Sequence, residues 1–159
     1  MDLILWRHAE AEDNASSDLA RRLTPRGERQ AGRMALWLKS QLENPTNRTS
    51  QWRVIASPAV RAQQTAAALK LPIETINAIA PDAPVDAILR AASWPDGKKN
   101  MIVVGHEPTL GMVAGALLNG VEDYVPFKKG AVCWFRASVQ DGKTKVVLVA
   151  SATPKTIDD

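Results

Sequence analysis

LILWRH, at residues 3–8, joins a short apolar run to a cation and an imidazole. Two later stretches share this design: VIASPAVR at residues 54–61 and MIVVGHEP at residues 101–108 each pass from an apolar run to a basic or titratable side chain. Short apolar runs bounded by charge predict buried strands. If these strands are parallel, their carboxyl ends share one edge of a sheet, where open α/β folds bind ligands. The side chains expected together at this edge are Arg7, His8, Arg61 and His106.

The rest of the chain alternates helix and strand patterns. Thr24 can cap a helix whose first residue, Pro25, suits that position, and apolar residues recur at helical spacing as far as Leu42. Further helices are expected at 58–69 with Ser57 as N-cap, at 85–92 and at 108–118. Further strands are expected at 73–76, 131–139 and 145–151, the last two joined by a hairpin at Asp141-Gly142. Polar loops are expected at 10–22, 44–51 and 77–84, and a fraying tail at 154–159. The pattern predicts an α/β fold with a mixed sheet.

Composition places the chain among soluble globular proteins. Its 159 residues suit one domain, 1–159, and 45% hydrophobic with 23% charged residues is ordinary for such a domain. No apolar stretch approaches the roughly 20 residues of a membrane span, the chain does not open with a basic apolar leader, and the single cysteine, Cys133, cannot form an internal disulfide. We therefore expect a cytoplasmic protein without membrane attachment.

The charge pattern favours a small anionic ligand over a nucleic acid. The net charge is only +3, the basic residues form no dense run, and the five tryptophans form no stripe with them. Arginine binds phosphate oxygens bidentately, and a helix amino terminus at Arg61 adds backbone N–H groups that favour anions. Two arginines, an imidazole and a helix start together predict a phosphate pocket.

Metal binding and cysteine chemistry are the alternatives at these positions. His8, Glu10 and Glu12 alternate along an extended segment and could face one ion, but the neighbouring Arg7 would repel a cation. Cys133 lies inside a predicted strand with no arginine loop after it, so it is expected in the core rather than as a nucleophile. Neither a metal nor a cofactor is expected.

Four ordered motifs resemble those of the histidine phosphatase (phosphoglycerate mutase-like) superfamily. RHAE at 7–10 is similar to the family's Arg-His-Gly motif, and LTPRGERQA at 23–31 is similar to its Leu-Thr-x-x-Gly-x-x-Gln-Ala helix start. SPAVRAQQTA at 57–66 is similar to its Ser-Pro-x-x-Arg-Ala-x-Gln-Thr-Ala segment, and VGH at 104–106 is similar to its Gly-His motif. The short length and residues 18–21 resemble the compact SixA branch, the protein phosphohistidine phosphatases.

This resemblance implies a fold and a set of roles. The fold is a three-layer α/β/α sandwich with a mostly parallel central sheet and an antiparallel C-terminal strand. His8 would be phosphorylated and then hydrolysed, while Arg7, Arg61 and His106 hold the phosphoryl group. Arg21, from the stretch before the second motif, is expected to bind phosphate as well.

The sequence departs from the family pattern in two respects. One is the residue that follows His8, and the other is the acid that protonates a leaving group. Ala9 stands where the family usually has glycine. Larger members supply the acid from an inserted region, and residues 69–85 leave little room for one. The carboxylates that remain as candidate acids, each also explained as a solvated loop residue, are Glu10, Glu12, Asp13, Asp18 and Asp82.

The leading functional hypothesis is a monomeric phosphatase that hydrolyses phosphohistidine on a signalling or phosphotransfer protein, such as a histidine-phosphotransfer domain. A phosphatase of small-molecule phosphate esters is the enzymatic alternative. A hypothesis from a different functional class is a non-catalytic module that recognises phosphorylated partners, and the intact His8 argues against it. A nucleic-acid binder is the fourth and most distant hypothesis.

Overall fold

The computed structural model describes residues 1–44, 51–120 and 122–157. In this part of the chain, six strands form one sheet: β1 (Asp2–Arg7), β2 (Trp52–Ala56), β3 (Ile73–Thr75), β4 (Asn100–Gly105), β5 (Val132–Gln140) and β6 (Lys143–Ala152). Four α-helices accompany them: α1 (Pro25–Glu43), α2 (Val60–Ala67), α3 (Val85–Ala91) and α4 (Thr109–Asn119).

The sheet is mixed, with strand order β3-β2-β4-β1-β5-β6. β1 pairs in parallel with β4, which in turn pairs in parallel with β2, and β2 with β3. β5 is antiparallel to both β1 and β6. The predicted mostly parallel sheet with an antiparallel C-terminal strand is therefore confirmed, and β1 lies inside it with partners on both sides.

Alternating residues of the central strands face two hydrophobic clusters. Ile4 and Trp6 of β1 face a cluster that includes Met34 and Leu38 of α1 and Ala62 of α2. Because side chains alternate along a strand, the residues between them face the other side. There, Leu3 and Leu5 join a cluster that includes Ile88 of α3 and Val113 of α4. Helices cover both faces, which confirms the three-layer α/β/α arrangement.

The start of α1 is fixed against the loop that follows β1. The Thr24 hydroxyl oxygen accepts a hydrogen bond from the Gly27 N–H at 2.9 Å, and Pro25 occupies the first turn, as the sequence predicts. A Cβ atom at Gly27 would lie 1.9 Å from the carbonyl oxygen of Glu10. Only glycine allows this close approach, so residue 27 determines how near α1 comes to the β1 loop.

The prediction that Ser57 caps the second helix is wrong. α2 begins at Val60, and its N-cap position is Ala59, without a side-chain cap. The Ser57 N–H donates to the Val104 carbonyl at 3.1 Å, so this residue still belongs to the sheet edge and lies too early to cap the helix.

Two predicted loops and the predicted tail are more ordered than expected. Short 3₁₀ turns occur at Asp18–Ala20 and Asn77–Ile79. Pro154 is buried and Ile157 packs against the cluster beneath α1, so the tail does not fray there because it covers apolar surface. Residues 158–159, and most of the predicted loop at 44–51, lie outside the described residues.

The hairpin between β5 and β6 is confirmed. Asp141 and Gly142 have φ values of 51° and 74°, and two consecutive positive φ angles are typical of the two-residue turn that this dipeptide favours. Across the described ranges, none of the helices combines the length and the apolar character needed to cross a membrane.

Candidate active site

A cavity of about 290 Å³ opens at the carboxyl edge of β1, β2 and β4. The structure brings the four side chains predicted for this edge together there: Arg7, His8, Arg61 and His106. Arg21, Asp18 and Asp82 also line the cavity, as do two residues that the sequence analysis did not single out, Glu107 and Lys129.

The backbone of His8 continues the hydrogen-bonding pattern of the sheet beyond β1. Its N–H donates to the Gly105 carbonyl at 3.1 Å, and its carbonyl accepts from the Gly130 N–H at 3.1 Å. Gly130 has a φ of +77°, and its own carbonyl accepts from the Trp6 indole at 3.1 Å. The position of His8 is therefore fixed by peptide groups from two neighbouring segments.

The His8 ring is oriented by its Nδ1 atom, which lies 2.7 Å from the Ala9 carbonyl oxygen. A carbonyl oxygen can only accept, so Nδ1 carries the proton and, in the neutral ring, Nε2 carries the lone pair. The pKa of His8 is lowered to about 3, chiefly by burial and also by the nearby His106, Arg61 and Arg7, while the hydrogen bond to Ala9 partly opposes this shift. The ring is thus a neutral imidazole with a nucleophilic nitrogen at physiological pH.

Arg61 stands in the first turn of α2 and is only 4% exposed. Its Nε–H donates to Nε2 of His8 at 3.3 Å, so the guanidinium lies against the unprotonated nitrogen. Thr65, one turn further along α2, donates its hydroxyl to the Arg61 carbonyl at 2.8 Å and accepts from the Ala9 N–H at 3.1 Å. This threonine joins α2 to the loop that carries His8.

Asp18 and Arg21 form the outer side of the cavity. The Nη atoms of Arg61 donate to the Asp18 carbonyl at 2.8 Å and to its carboxylate at 3.1 Å. Arg21 donates to the other carboxylate oxygen of Asp18 at 3.1 Å and to the Glu12 carbonyl at 2.7 Å. In this structure Arg21 therefore contacts Asp18, which lies between it and Arg61.

His106 lies beside His8, with ring centroids 5.2 Å apart and planes tilted by 53°. Its Nε2 is 2.7 Å from the Ser57 hydroxyl, which also accepts from the Ala59 N–H at 3.1 Å. Nδ1 of His106 is buried without a hydrogen-bond partner among the described residues. Because Nε2 is paired with Ser57, Nδ1 is the ring nitrogen available to a ligand. Burial, followed by the charge of Arg61, lowers the pKa of His106 to about 4.

Arg7 and Glu107 are connected through the segment that precedes β5. Arg7 donates from Nη1 to the Phe127 carbonyl at 2.7 Å. The Glu107 carboxylate accepts from the N–H groups of Phe127 at 3.1 Å and of Gly111 at 2.7 Å, and from the Tyr124 hydroxyl. Glu107 thus anchors the segment to which Arg7 bonds. The adjacency of Glu107 to His106 was the sequence signal that could have identified it.

The candidate acids differ in their positions. Glu10 accepts from the Thr24 hydroxyl at 2.7 Å, and Glu12 and Asp13 line a neighbouring cavity with it, away from the four central side chains. Hydrogen bonding from Arg21 lowers the pKa of Asp18, which makes it a poor acid at neutral pH. Asp82 lines the central cavity from a left-handed backbone position with φ of 68°.

Alanine fits the position that follows His8. Ala9 is fully buried against Leu23 and Ala31, and it is not one of the residues with a positive φ angle. Since the backbone there needs no left-handed conformation, glycine is not required.

Cys133 is partly buried in β5, packs against the α3/α4 side of the core, and has its pKa raised to about 11 by burial, so it is a thiol at neutral pH.

Acidic and thiol side chains do not converge on a metal position in the parts of the chain that the structure describes. No group of three or more His, Cys, Asp or Glu side chains there could hold a metal ion. At the centre of the cavity, Arg7 and Arg61 accompany two neutral imidazoles, an arrangement that suits an oxyanion, and the carboxylates of Asp18, Asp82 and Glu107 complete the lining.

Comparison with known proteins identifies the class. The sequence model of the histidine phosphatase superfamily (branch 1) matches residues 3–80. Phosphohistidine phosphatase SixA of Escherichia coli is 32% identical over 129 residues, which cover 76% of each chain. The chain therefore belongs to the histidine phosphatase superfamily.

Two further similarities extend over nearly the whole chain. The phosphohistidine phosphatase SixA homolog of Haemophilus influenzae is 29% identical over 168 aligned positions, covering 97% of both chains. The solved structure of the protein histidine phosphatase SixA complexed with tungstate superposes with a TM-score of 0.77 at 24% identity, covering 99% of this chain and 100% of that one. The latter similarity establishes the shared fold.

Proposed function

We propose that this protein hydrolyses phosphohistidine on another protein through a phosphorylated His8. The observation that carries the proposal is the geometry of the His8 ring. Nδ1–H is fixed on the Ala9 carbonyl, and Nε2 faces the Arg61 guanidinium inside a cationic cavity. A neutral imidazole with a fixed tautomer beside an anion-binding group is the arrangement that phosphoryl transfer requires.

In the first step, the Nε2 lone pair of His8 attacks phosphorus while the bond from phosphorus to the substrate nitrogen breaks. The electron pair of that bond leaves on the substrate imidazole, which takes up a proton from solvent water. In the second step, water attacks the phosphorus of phospho-His8, the bond to Nε2 breaks, and inorganic phosphate forms. The Arg7 and Arg61 guanidinium groups stabilise the equatorial oxygens in both transition states.

His106 is proposed as the third partner of the phosphoryl oxygens. The lowered pKa of about 4 makes the His106 ring neutral at physiological pH, whereas the proposed phosphoryl-binding role uses a protonated ring. A bound phosphoryl group adds negative charge next to the ring, and opposite charge raises the pKa of an imidazole. His106 would thus gain its proton as the substrate binds, with Ser57 on Nε2 and the phosphoryl oxygen on Nδ1.

A phosphoprotein substrate is supported by the relatives and by the surroundings of the cavity. The curated relatives are phosphohistidine phosphatases by name. The connection between β3 and α3 consists only of residues 76–84, so this segment adds no extended cover over the cavity. We propose a signalling or phosphotransfer protein, such as a histidine-phosphotransfer domain, as the partner.

We further propose that the protein acts as a monomer in the cytoplasm. The four central side chains come from one chain, so the cavity does not need a second copy to be complete. A single cysteine, present as a partly buried thiol, suits a reducing compartment.

The test is detection of the phosphoenzyme. The protein should be mixed with a phosphohistidine-carrying phosphotransfer domain, quenched rapidly in alkali because phosphohistidine is labile in acid, and analysed by intact mass. One phosphoryl group should appear on wild type and be absent from His8→Ala. His106→Asn is the matched control: it retains His8, so it should still carry the label while turning over slowly. Full turnover by His8→Ala would exclude the proposed mechanism.

Hydrolysis of a small phosphate ester is the second candidate function, and Asp82 is the observation that favours it. Its carboxyl lines the cavity, where it could protonate an alkoxide leaving group. Unlike Asp18, it has no arginine hydrogen-bonded to it in the structure. If esters are the natural substrates, Asp82→Asn should abolish their hydrolysis while leaving phosphohistidine hydrolysis intact.

A further inference from the structure

A groove of about 460 Å³ lies next to the active-site cavity and is strongly basic. Five cationic side chains line it, and no acidic residue does: Arg26, Arg33, Lys128, Lys129 and Lys155. All five are exposed. Lys129 lines both this groove and the active-site cavity, so the two are adjacent. We call this surface the basic groove.

Three separate parts of the fold meet to build the basic groove. Residues 26 and 33 lie on α1, residues 128 and 129 precede β5, and residue 155 follows β6. Their convergence is fixed by close packing: a Cβ at Gly130 would lie 2.9 Å from the Pro154 ring and 3.8 Å from the Gln30 Cβ. The same Gly130 bonds to the His8 carbonyl. The groove is therefore attached to the segment that positions the nucleophile.

In the part of the chain that the structure describes, four of these five charges have no acidic partner. Among the described residues, no carboxylate lies within ion-pair distance of Arg26, Lys128, Lys129 or Lys155. Like charges gathered on one surface repel each other and lower stability, which makes an unneutralised cluster more typical of a binding surface than of a structural one. The ligand that fits such a surface is anionic.

The length of the basic groove favours an extended ligand over a second single phosphate. Arg26 and Arg33 are seven residues apart on α1, which places them on one face about 10 Å apart along the helix axis. A single phosphate group is much smaller than the distance between these two arginines. Lysines on flexible stems also act as point charges, which suit a variable array of carboxylates better than one fixed anion.

We propose that the basic groove docks an acidic surface of the protein substrate while its phosphohistidine enters the active-site cavity. This inference rests on the proposed phosphoprotein substrate and adds the chemistry of the partner: a cluster of Asp and Glu side chains beside the phosphorylated histidine. Charge complementarity of this kind raises the rate of association and selects the orientation of the partner.

The test compares two charge-matched double variants. Lys128→Gln/Lys155→Gln removes two charges from the groove without touching a residue of the active-site cavity. Lys143→Gln/Lys145→Gln removes two from β6, where residue 143 pairs with residue 140 at the opposite end of the sheet from Arg7. Each is assayed on a phosphohistidine-carrying phosphotransfer domain of net negative charge, and on free phosphohistidine.

The groove variant should lose about tenfold in kcat/KM on the phosphodomain, through KM, and should lose the salt dependence of that KM. Its activity on free phosphohistidine should stay within twofold of wild type, and the β6 variant should match wild type on both substrates. Unchanged kcat/KM on the phosphodomain would overturn the docking proposal, as would an equal loss on both substrates.

Two further measurements separate the possible failures. Wild type that hydrolyses neither substrate would refute the proposed function; docking is then judged by titrating the phosphodomain into His8→Ala with and without the groove substitutions. About tenfold weaker binding with the substitutions would support docking, and equal binding would refute it. The same titration with inorganic polyphosphate tests whether the basic groove instead binds a chain of phosphates. A loss of affinity for polyphosphate alone would also refute the acidic-protein proposal.

Discussion

His8 and His106 are both neutral in a cavity that is also lined by three guanidinium groups, those of Arg7, Arg21 and Arg61. Burial is the largest cause of both lowered pKa values, and the surrounding cations add to it. With a pKa of about 3, the ring of the proposed nucleophile, His8, is unprotonated at neutral pH. The same environment that favours an anionic substrate thus keeps the attacking nitrogen unprotonated.

The first prediction concerns the two arginines of the cavity. Arg7→Ala and Arg61→Ala should each lower turnover by about two orders of magnitude, since a donor that stabilises developing charge contributes about 3 kcal/mol. Arg21→Ala is the matched control. Because this residue contacts Asp18 and the Glu12 carbonyl rather than His8, its loss should cost less than about tenfold. Circular dichroism confirms folding. Near-normal turnover by either folded central variant would give that arginine a structural role only.

The second prediction concerns proton uptake by His106. Sulfate, a dianion that does not titrate near neutrality, should raise the pKa of this ring above its empty-site value of about 4. At a pH between the pKa of the His106 ring without sulfate and its pKa with sulfate bound, sulfate binding is therefore accompanied by uptake of a fraction of a proton. Calorimetric titration at pH 6 in two buffers of different ionisation enthalpy measures this fraction. His106→Asn should abolish it, and equal uptake by the variant would assign the proton elsewhere.

The residues of the site were predictable from the sequence where they end a strand. Arg7, His8 and His106 directly follow apolar runs, so their clustering needed only the assumption that the strands are parallel. Glu107 was missed because its role depends on Phe127, twenty positions away in sequence and brought near by β5. Ser57 was misassigned because its partner, His106, belongs to another strand end.

At the level of elements, helix α1 and the loop after β1 make the closest packing contact of the site. The Gly27 Cα faces the Glu10 carbonyl with no room for a methyl group. The same loop accepts a hydrogen bond from Thr24, so the first turn of α1 is joined to the His8 loop.

The third prediction uses two glycines of this one helix. Gly27→Ala should destabilise the protein by about 1–3 kcal/mol and reduce turnover, because the methyl group must displace either α1 or the loop that carries His8. Gly32→Ala, where nothing lies within 4 Å of the added Cβ, should be neutral or stabilising by up to about 1 kcal/mol. Urea unfolding and steady-state kinetics measure both effects. Equal stability of the two variants would contradict the packing argument.

Element identities followed from periodicity, but several boundaries did not. The hairpin at Asp141 was predictable because its turn is encoded locally. The start of α2 was not, since the Ser57 N–H bonds to the neighbouring strand β4 and delays the helix by two residues. The order of Pro154 also depends on a long-range contact, in this case with Gly130.

At the scale of the whole molecule, chain length and cavity chemistry limit which leaving groups can depart. Asp18 is a poor proton donor, and Glu107 is engaged by three donors. The connection from β3 to α3 spans only residues 76–84, and Asp82 is the one carboxyl residue that it brings to the cavity. Apart from Asp82, the cavity therefore offers little help to a departing leaving group.

The fourth prediction follows from this shortage of acids. Turnover should fall steeply as the leaving group becomes more basic, with phosphohistidine and aryl phosphates hydrolysed readily and sugar phosphates or phosphoglycerate barely. A series of substituted aryl phosphates and alkyl phosphates gives the slope. Asp82→Asn should leave that slope unchanged. A shallow slope in wild type that becomes steep in Asp82→Asn would identify this residue as the acid and favour ester substrates.

The peptide group of His8 lies just beyond the last residue of β1, where its N–H donates to Gly105 and its carbonyl accepts from Gly130. Its N–H exchanges with solvent only when the hydrogen bond to Gly105 opens, so its protection measures how firmly β1 and β4 stay paired beside the cavity. The amide of the proposed nucleophile therefore reports on the stability of its own surroundings. Exchange at this one amide separates substitutions that loosen the protein from those that alter only its chemistry.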